Sequence, residues 1–190
     1  MKTRKWTNLM VILLVITGCS GIRVSQDYDP NTRFGQLTTF AWTSPTQEKT
    51  GDPRIDNPLL DERIRAAVTQ ALTQKGYTLT TDRDPTFSVR YRYLLHQRLD
   101  SGGSGISFGV GGFGSHSGIG TGIGIGTGTG AALQEEGELV IDLMQGTSDT
   151  LLWRGSGIHP FKRYTDPSKA TAAIDTLVEK ILAPFPPDPS

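Results

Sequence analysis

Apolar and polar residues alternate most regularly near the middle of the chain, where Phe87, Val89, Tyr91, Tyr93 and Leu95 take turns with Ser88, Arg90 and Arg92. A period of two predicts a strand with one apolar and one basic face. Weaker alternation over residues 22–28 and the β-branched and aromatic run 38–43 predict two more strands, separated by Pro30 and Asn31. Residues 77–80 read as a short strand. Residues 139–144 and 150–154 flank the turn-rich 145–149 and predict a hairpin.

Two segments carry the helical period instead. Leu60, Ile64, Ala67, Val68, Ala71 and Leu72 recur along one face after Asn57-Pro58, a cap followed by a residue suited to the first turn. Gly76 ends that helix. Asp166-Pro167 repeats the start, and Ala170, Ala173, Ile174, Leu177, Val178, Ile181 and Leu182 form the second apolar face before Pro184 stops it. The fold expected is α+β: a two-layer sandwich with a mostly antiparallel sheet of five or six strands and both amphipathic helices on one face. Beyond residue 154 no strand is predicted, and His159, in Gly157-Ile158-His159-Pro160, reads as a turn residue.

Residues 101–133 interrupt this pattern as a glycine-rich insertion, expected to be flexible or to serve as an interaction arm. Gly109, Gly111 and Gly114 satisfy the dinucleotide fingerprint, but more glycine follows where a helix must open. Gly118, Gly122, Gly126 and Gly130 match a membrane helix-packing repeat, yet intervening glycines at about 1 kcal/mol each relative to alanine exclude a persistent helix.

The first residues add a different picture. Lys2, Arg4 and Lys5 precede the apolar run 9–16 and then Thr17-Gly18-Cys19, the layout of a secretory signal over residues 1–18. The run is too short for a hydrocarbon core that needs about 20 residues. Ile16-Thr17-Gly18-Cys19 resembles the lipobox of bacterial lipoproteins. That resemblance implies cleavage between Gly18 and Cys19 and lipid on Cys19, with residues 19–21 as a short tether. Two or more acyl chains make a durable anchor. Ser20 after the anchor, rather than aspartate, implies forwarding to the outer membrane if the source is Gram-negative. Cys19 is the only cysteine, so no disulfide forms within the chain.

Losing Lys2, Arg4 and Lys5 takes the chain from 19 basic and 19 acidic residues to 16 against 19. A mildly acidic mature protein without a basic block is a poor nucleic-acid partner. The membrane, through Cys19, and an envelope protein or glycan are the partners expected, and no cofactor is.

Candidate chemistry is sparse. Arg90, Arg92 and Arg98 form a possible ligand-facing row, read more simply as a solvated face with cross-strand partners such as Glu138 or Asp142. His96, His116 and His159 are the only histidine bases, and none sits in a catalytic motif. His116 lies inside the flexible insertion. No H-x-x-x-H or clustered carboxylate loop offers metal-site spacing, and the paired carboxylates Glu135-Glu136 and Asp27-x-Asp29 fit a solvated surface as well as a catalytic pair. No catalytic, cofactor or metal residue is assigned. Trp42, Tyr77, Phe87 and Trp153 read as core, with a ligand groove lined by these aromatics as the alternative.

The mature chain as a whole resembles the bacterial lipoproteins with the domain of unknown function DUF4136. The resemblance is carried by Asp27-Tyr28-Asp29 with Phe34, Thr39-Phe40-Ala41-Trp42, Lys75-Gly76-Tyr77, residues 84–91, Trp153-Arg154-Gly155, Ile181-Leu182 and Phe185-Pro186-Pro187. It implies an envelope lipoprotein with one α/β domain over residues 22–187 and a tail at 188–190, and it brings no catalytic residue. Pro85 after Asp84 departs from the expected strand entry. The function expected is a non-enzymatic binding or structural component facing the periplasm. A periplasmic hydrolase and a carrier of small lipophiles are the alternatives.

Overall fold

A computed structural model describes residues 21–43, 49–81, 84–100 and 132–187. Cys19 and its signal, His116 and residues 101–131 of the insertion lie outside the described residues. In chain order the elements are β1 (Arg23–Tyr28), a 3-10 turn (Phe34–Gln36), β2 (Thr39–Trp42), α1 (Pro58–Gln74), β3 (Thr78–Leu79), β4 (Phe87–Asp100), β5 (Ala132–Gln145), β6 (Leu151–Pro160) and α2 (Pro167–Leu182). The strands make one sheet in the order β1-β6-β5-β4-β2-β3.

The pairing is antiparallel across β1, β6, β5 and β4, whereas β2 runs parallel to both β3 and β4. The parallel β2–β3 pair follows from α1 lying between them in sequence, since a helical crossover returns the chain to the same end. Both helices start as their sequences predict. The Asn57 side chain accepts from the Leu60 amide and the Asp166 side chain from the Ser168 amide, and each is followed by proline. Gly76 takes a φ of 94° just past α1, a conformation that favours glycine.

Three strands run longer than the apolar pattern indicates. β4 and β5 stay paired through His96 opposite Glu136, Gln97 opposite Glu135 and Arg98 opposite Gln134. Both faces are polar there, so the alternation fades while the backbone ladder continues. β5 begins at Ala132, inside the span expected for the insertion. β6 continues to Pro160, and His159 is a strand residue rather than part of a turn. Gly155 and Gly157 hid this, because glycine is rare in strands except where another element approaches closely. Here α2 does so: a Cβ at Gly157 would lie 2.8–2.9 Å from Ile181 and Leu177. At the entry to β4, Pro85 stays outside the ladder, and the Thr86 hydroxyl instead accepts from the Thr38 and Thr39 amides and donates to the Thr39 carbonyl.

The apolar members of β4 and β5, Phe87, Val89, Tyr91, Tyr93, Leu139, Ile141 and Leu143, face both helices together with Phe40 and Trp153. From α1 come Ile64, Ala67, Val68 and Leu72; from α2, Ile174, Leu177, Val178, Ile181 and Leu182. Phe185, just beyond α2, is 1% exposed and plugs one end of this layer. Its ring centroid lies 5.1 Å from Trp153 and 5.5 Å from Tyr77. Sequence reasoning placed it only at the close of the domain, because nothing in Phe-Pro-Pro marks a core residue.

Candidate functional site

Three groups of polar and aromatic side chains stand out among the described residues. On the sheet face away from the helices, Asp142 is 1% exposed and lies between Arg90 of β4 and Arg154 of β6, directly opposite both in register. Arg90 Nε donates to Oδ2 at 3.2 Å, Arg154 Nη2 to the same oxygen at 2.8 Å and Arg154 Nε to Oδ1. Burial alone would push the Asp142 carboxyl up. Hydrogen bonds and positive charge from Arg154 and Arg90 outweigh it and hold the carboxyl below its ordinary value.

The basic row expected from β4 is thus partly tied down. Arg90 takes the predicted partner Asp142, while Arg98 lies 3.6 Å from Glu136 rather than at Glu138. Glu138 instead meets His96 at 2.8 Å. Arg92 is exposed and has no ion pair among the described residues. Arg23 of β1 closes the far corner of the row on Glu136 at 2.8 Å.

The second group lies on the helix side, near the polar extension of β4 and β5. Tyr93 Oη and His159 Nε2 are 2.8 Å apart, and His159 Nδ1 is 3.1 Å from the Pro160 carbonyl. Gly137 sits opposite His159 and makes room for the pair, since a Cβ there would lie 2.9 Å from His159 Nε2 and closer still to Tyr93 Oη. Burial pushes the His159 imidazole down and the Tyr93 phenol well up. Both groups stay neutral near pH 7, and the pair ties β4 to β6 across the intervening β5 at Gly137. Neither has a nucleophile beside it among the described contacts. The signal that could have revealed this pair is the isolated glycine within a strand, which marks a close approach.

The third group lines an open groove of about 650 Å³ between α1 and the β2–β3 edge, with Trp42, Arg65, Ala66, Thr69 and Leu79 on its walls. Trp42 Nε1 donates to Thr69 Oγ1 at 3.3 Å, and the Arg65 guanidinium lies 5.0 Å from the Trp42 ring centre. Of the four aromatics read as core, Tyr77, Phe87 and Trp153 are buried, while Trp42 is only half-buried on this groove. Beside it, Tyr91 Oη donates to Asp61 at 2.6 Å. Among the described residues no cluster of three or more His, Cys, Asp or Glu side chains is placed to hold a metal.

Comparison with known proteins places this geometry in a family. Residues 24–187 match the family described as a domain of unknown function, DUF4136. The chain belongs to that family. No curated protein matches it in sequence. Among solved structures, the DUF4136 chain is similar to a PDZ domain protein from Parabacteroides distasonis, at 15% identity and a TM-score of 0.50, over 88% of this chain and 36% of that one. It therefore spans only about a third of that protein's length. It is also similar to the PelC dodecamer from Paraburkholderia phytofirmans at 10% identity and a TM-score of 0.45, over 86% of this chain and 96% of that one. At such identities the first likeness speaks for the fold alone. The α+β architecture expected from the sequence is the one observed.

Proposed function

We propose that the protein is a lipid-anchored lipoprotein of the bacterial envelope, a non-enzymatic binding or structural component that faces the periplasm from the outer membrane. The observation that carries this reading is the sequence Ile16-Thr17-Gly18-Cys19 after a secretory signal, directly ahead of a folded domain whose edge strand begins at Arg23. No helix among the described residues is long and apolar enough to cross a membrane, and two or more acyl chains on Cys19 make a durable anchor.

His159 is engaged by Tyr93 and a backbone carbonyl, and His96 by Glu138. The space between sheet and helices, which a lipophile carrier would need, is filled by Trp153, Phe87, Phe185 and the α2 leucines and isoleucines. The mass of the N-terminal peptide of the mature protein tests the anchor. A Cys19 peptide carrying diacylglyceryl and acyl groups is expected; an unmodified one overturns the reading. Turnover of ester or glycan substrates by the purified protein, lost in His159→Ala, would establish the hydrolase instead.

A further inference from the structure

We infer that the end of the domain where β1 begins is a membrane-contact surface, with Phe161, Lys162, Arg163 and Tyr164 laid against the headgroups of an anionic phospholipid bilayer. The inference rests on lipidation of Cys19 and extends it from an anchor to an orientation.

The chain leaves no room for a long tether. Ile22 packs against the core, and Gly21 lies beside Pro160, where an added Cβ would be 3.8 Å from the proline ring. Cys19 stands two residues earlier, and two residues span at most about 7 Å. A lipid on Cys19 therefore holds the corner formed by Pro160 close to the bilayer. The segment that follows is Phe161-Lys162-Arg163-Tyr164, with Phe161 half-buried, Lys162 and Arg163 exposed, and Tyr164 43% exposed. Basic residues beside aromatic ones are the combination that settles in a headgroup region.

The acidic side chains beside this segment are already engaged. Asp52 and Glu135 are both held by Arg54, at 2.6 and 2.8 Å, and Glu136 by Arg23 and Arg98. Asp166 is occupied as the cap of α2, accepting from the Ser168 amide and hydroxyl. That leaves Lys162 and Arg163 without an ion pair among the described residues, although Arg163 is near enough to help hold the Asp52 carboxyl down, behind the larger effect of Arg54. Arg54 lies 5.6 Å from the Phe161 ring centre and braces the loop. Both helices also begin at this end, so their positive dipole ends point the same way. The turn at 145–149 lies at the other end of β6, roughly 30 Å away for a ten-residue strand.

The test uses the full mature chain purified from membranes and reconstituted into phosphatidylcholine vesicles containing a minority of phosphatidylglycerol. With Cys19 consumed by lipid, Tyr164→Cys or Asp149→Cys supplies the one free thiol for an environment-sensitive dye, and a quencher is attached to the lipid headgroups. Dye at position 164 should be quenched several-fold more than dye at 149, and adding Lys162→Glu with Arg163→Glu should bring the two together. An unchanged urea midpoint shows that these loop variants remain folded. Equal quenching in a protein whose Cys19 peptide carries lipid overturns the contact surface and leaves the anchor standing. A Cys19 peptide without lipid overturns the anchor. The dye then goes into a Cys19→Ser background mixed with the same vesicles, where selective quenching at 164 upholds the surface and its absence overturns that too.

Discussion

The same three strands present two unlike faces. Toward the helices, β4, β5 and β6 show Phe87, Tyr91, Tyr93, Ile141, Leu143 and Trp153, interlocked with two helices. Away from them they show Arg90, Asp142, Arg154, Glu136, Glu138 and His96, joined across strands in pairs. Alternation in the backbone produces both, yet one face is held by removal of apolar area from water and the other by ion pairs in which a buried carboxylate meets arginines that keep more than a third of their side chains in water. The first should dominate stability and the second should decide how stability responds to pH. Trp153→Ala is the strongest way to break that comparison. The ring is fully buried against Phe185 and donates from Nε1 to Gln26 at 3.1 Å, so its loss should cost about 3–5 kcal/mol in urea unfolding.

Filling the same face is the next step down. A Cβ at Gly155 would meet the Trp153 ring and come within 2.7 Å of Ile181. Gly155→Val should therefore cost about 1–3 kcal/mol by overpacking, even though valine suits strands better than glycine. A neutral or stabilising result would mean that α2 can lift away from β6, which would undo the account of why this strand carries two glycines.

On the open face the largest effect falls on Asp142. Asp142→Asn keeps the shape but removes the charge that binds two arginines, and should cost about 1–2 kcal/mol near pH 7, modest because both guanidinium groups remain more than a third exposed. Folding lowers the carboxyl below its ordinary 3.8, so the unfolded chain binds the proton more tightly. The stabilisation is fully present above about pH 4 and is lost as pH falls through the lowered folded value. The urea midpoint of the wild type should thus drop more steeply than that of Asp142→Asn below pH 4.

How far the sequence disclosed these two faces follows from the same physics. Where one face is buried, as at residues 87–95, alternation is strong and the strand is legible. Where both faces are polar, as at residues 96–98 and 134–136, pairing continues without an apolar pattern to mark it. Asp142 was legible as a cross-strand partner for the basic row of β4, but its pairing with Arg90 and with Arg154 depended on a register and strand order that periodicity does not contain. The helix starts were legible from Asn57-Pro58 and Asp166-Pro167, since capping is local chemistry. The Tyr93–His159 pair was not, and of the aromatic groove held as an alternative only Trp42 was placed rightly, because each site joins residues distant in sequence. Gly155 and Gly157 read as a strand's end when they are the place where a helix comes closest.

His159 gives the smallest and most discriminating effect, because it belongs to the buried face yet titrates. Burial lowers its pKa below the ordinary 6.5, the small opposing influences of the Pro160 carbonyl and Glu136 notwithstanding. The unfolded chain therefore takes up a proton at a higher pH than the folded one, and stability must fall as pH drops below about 6.5, levelling off once the folded imidazole also protonates. Above that value the group contributes no pH dependence. His159→Asn, which retains a side chain able to bond Tyr93 and cannot protonate, should flatten the urea midpoint between pH 7 and pH 5, a window in which the Asp142 carboxyl stays ionised. If the slope in that window survives the substitution, the imidazole is not withdrawn from water as the Tyr93 contact and Gly137 imply. The division between a face that sets stability and a face that sets its pH response would then hold without exception. If the slope disappears, one residue on the packed face carries a pH response of its own, which sets in below about pH 6.5 where the Asp142 carboxyl is still ionised.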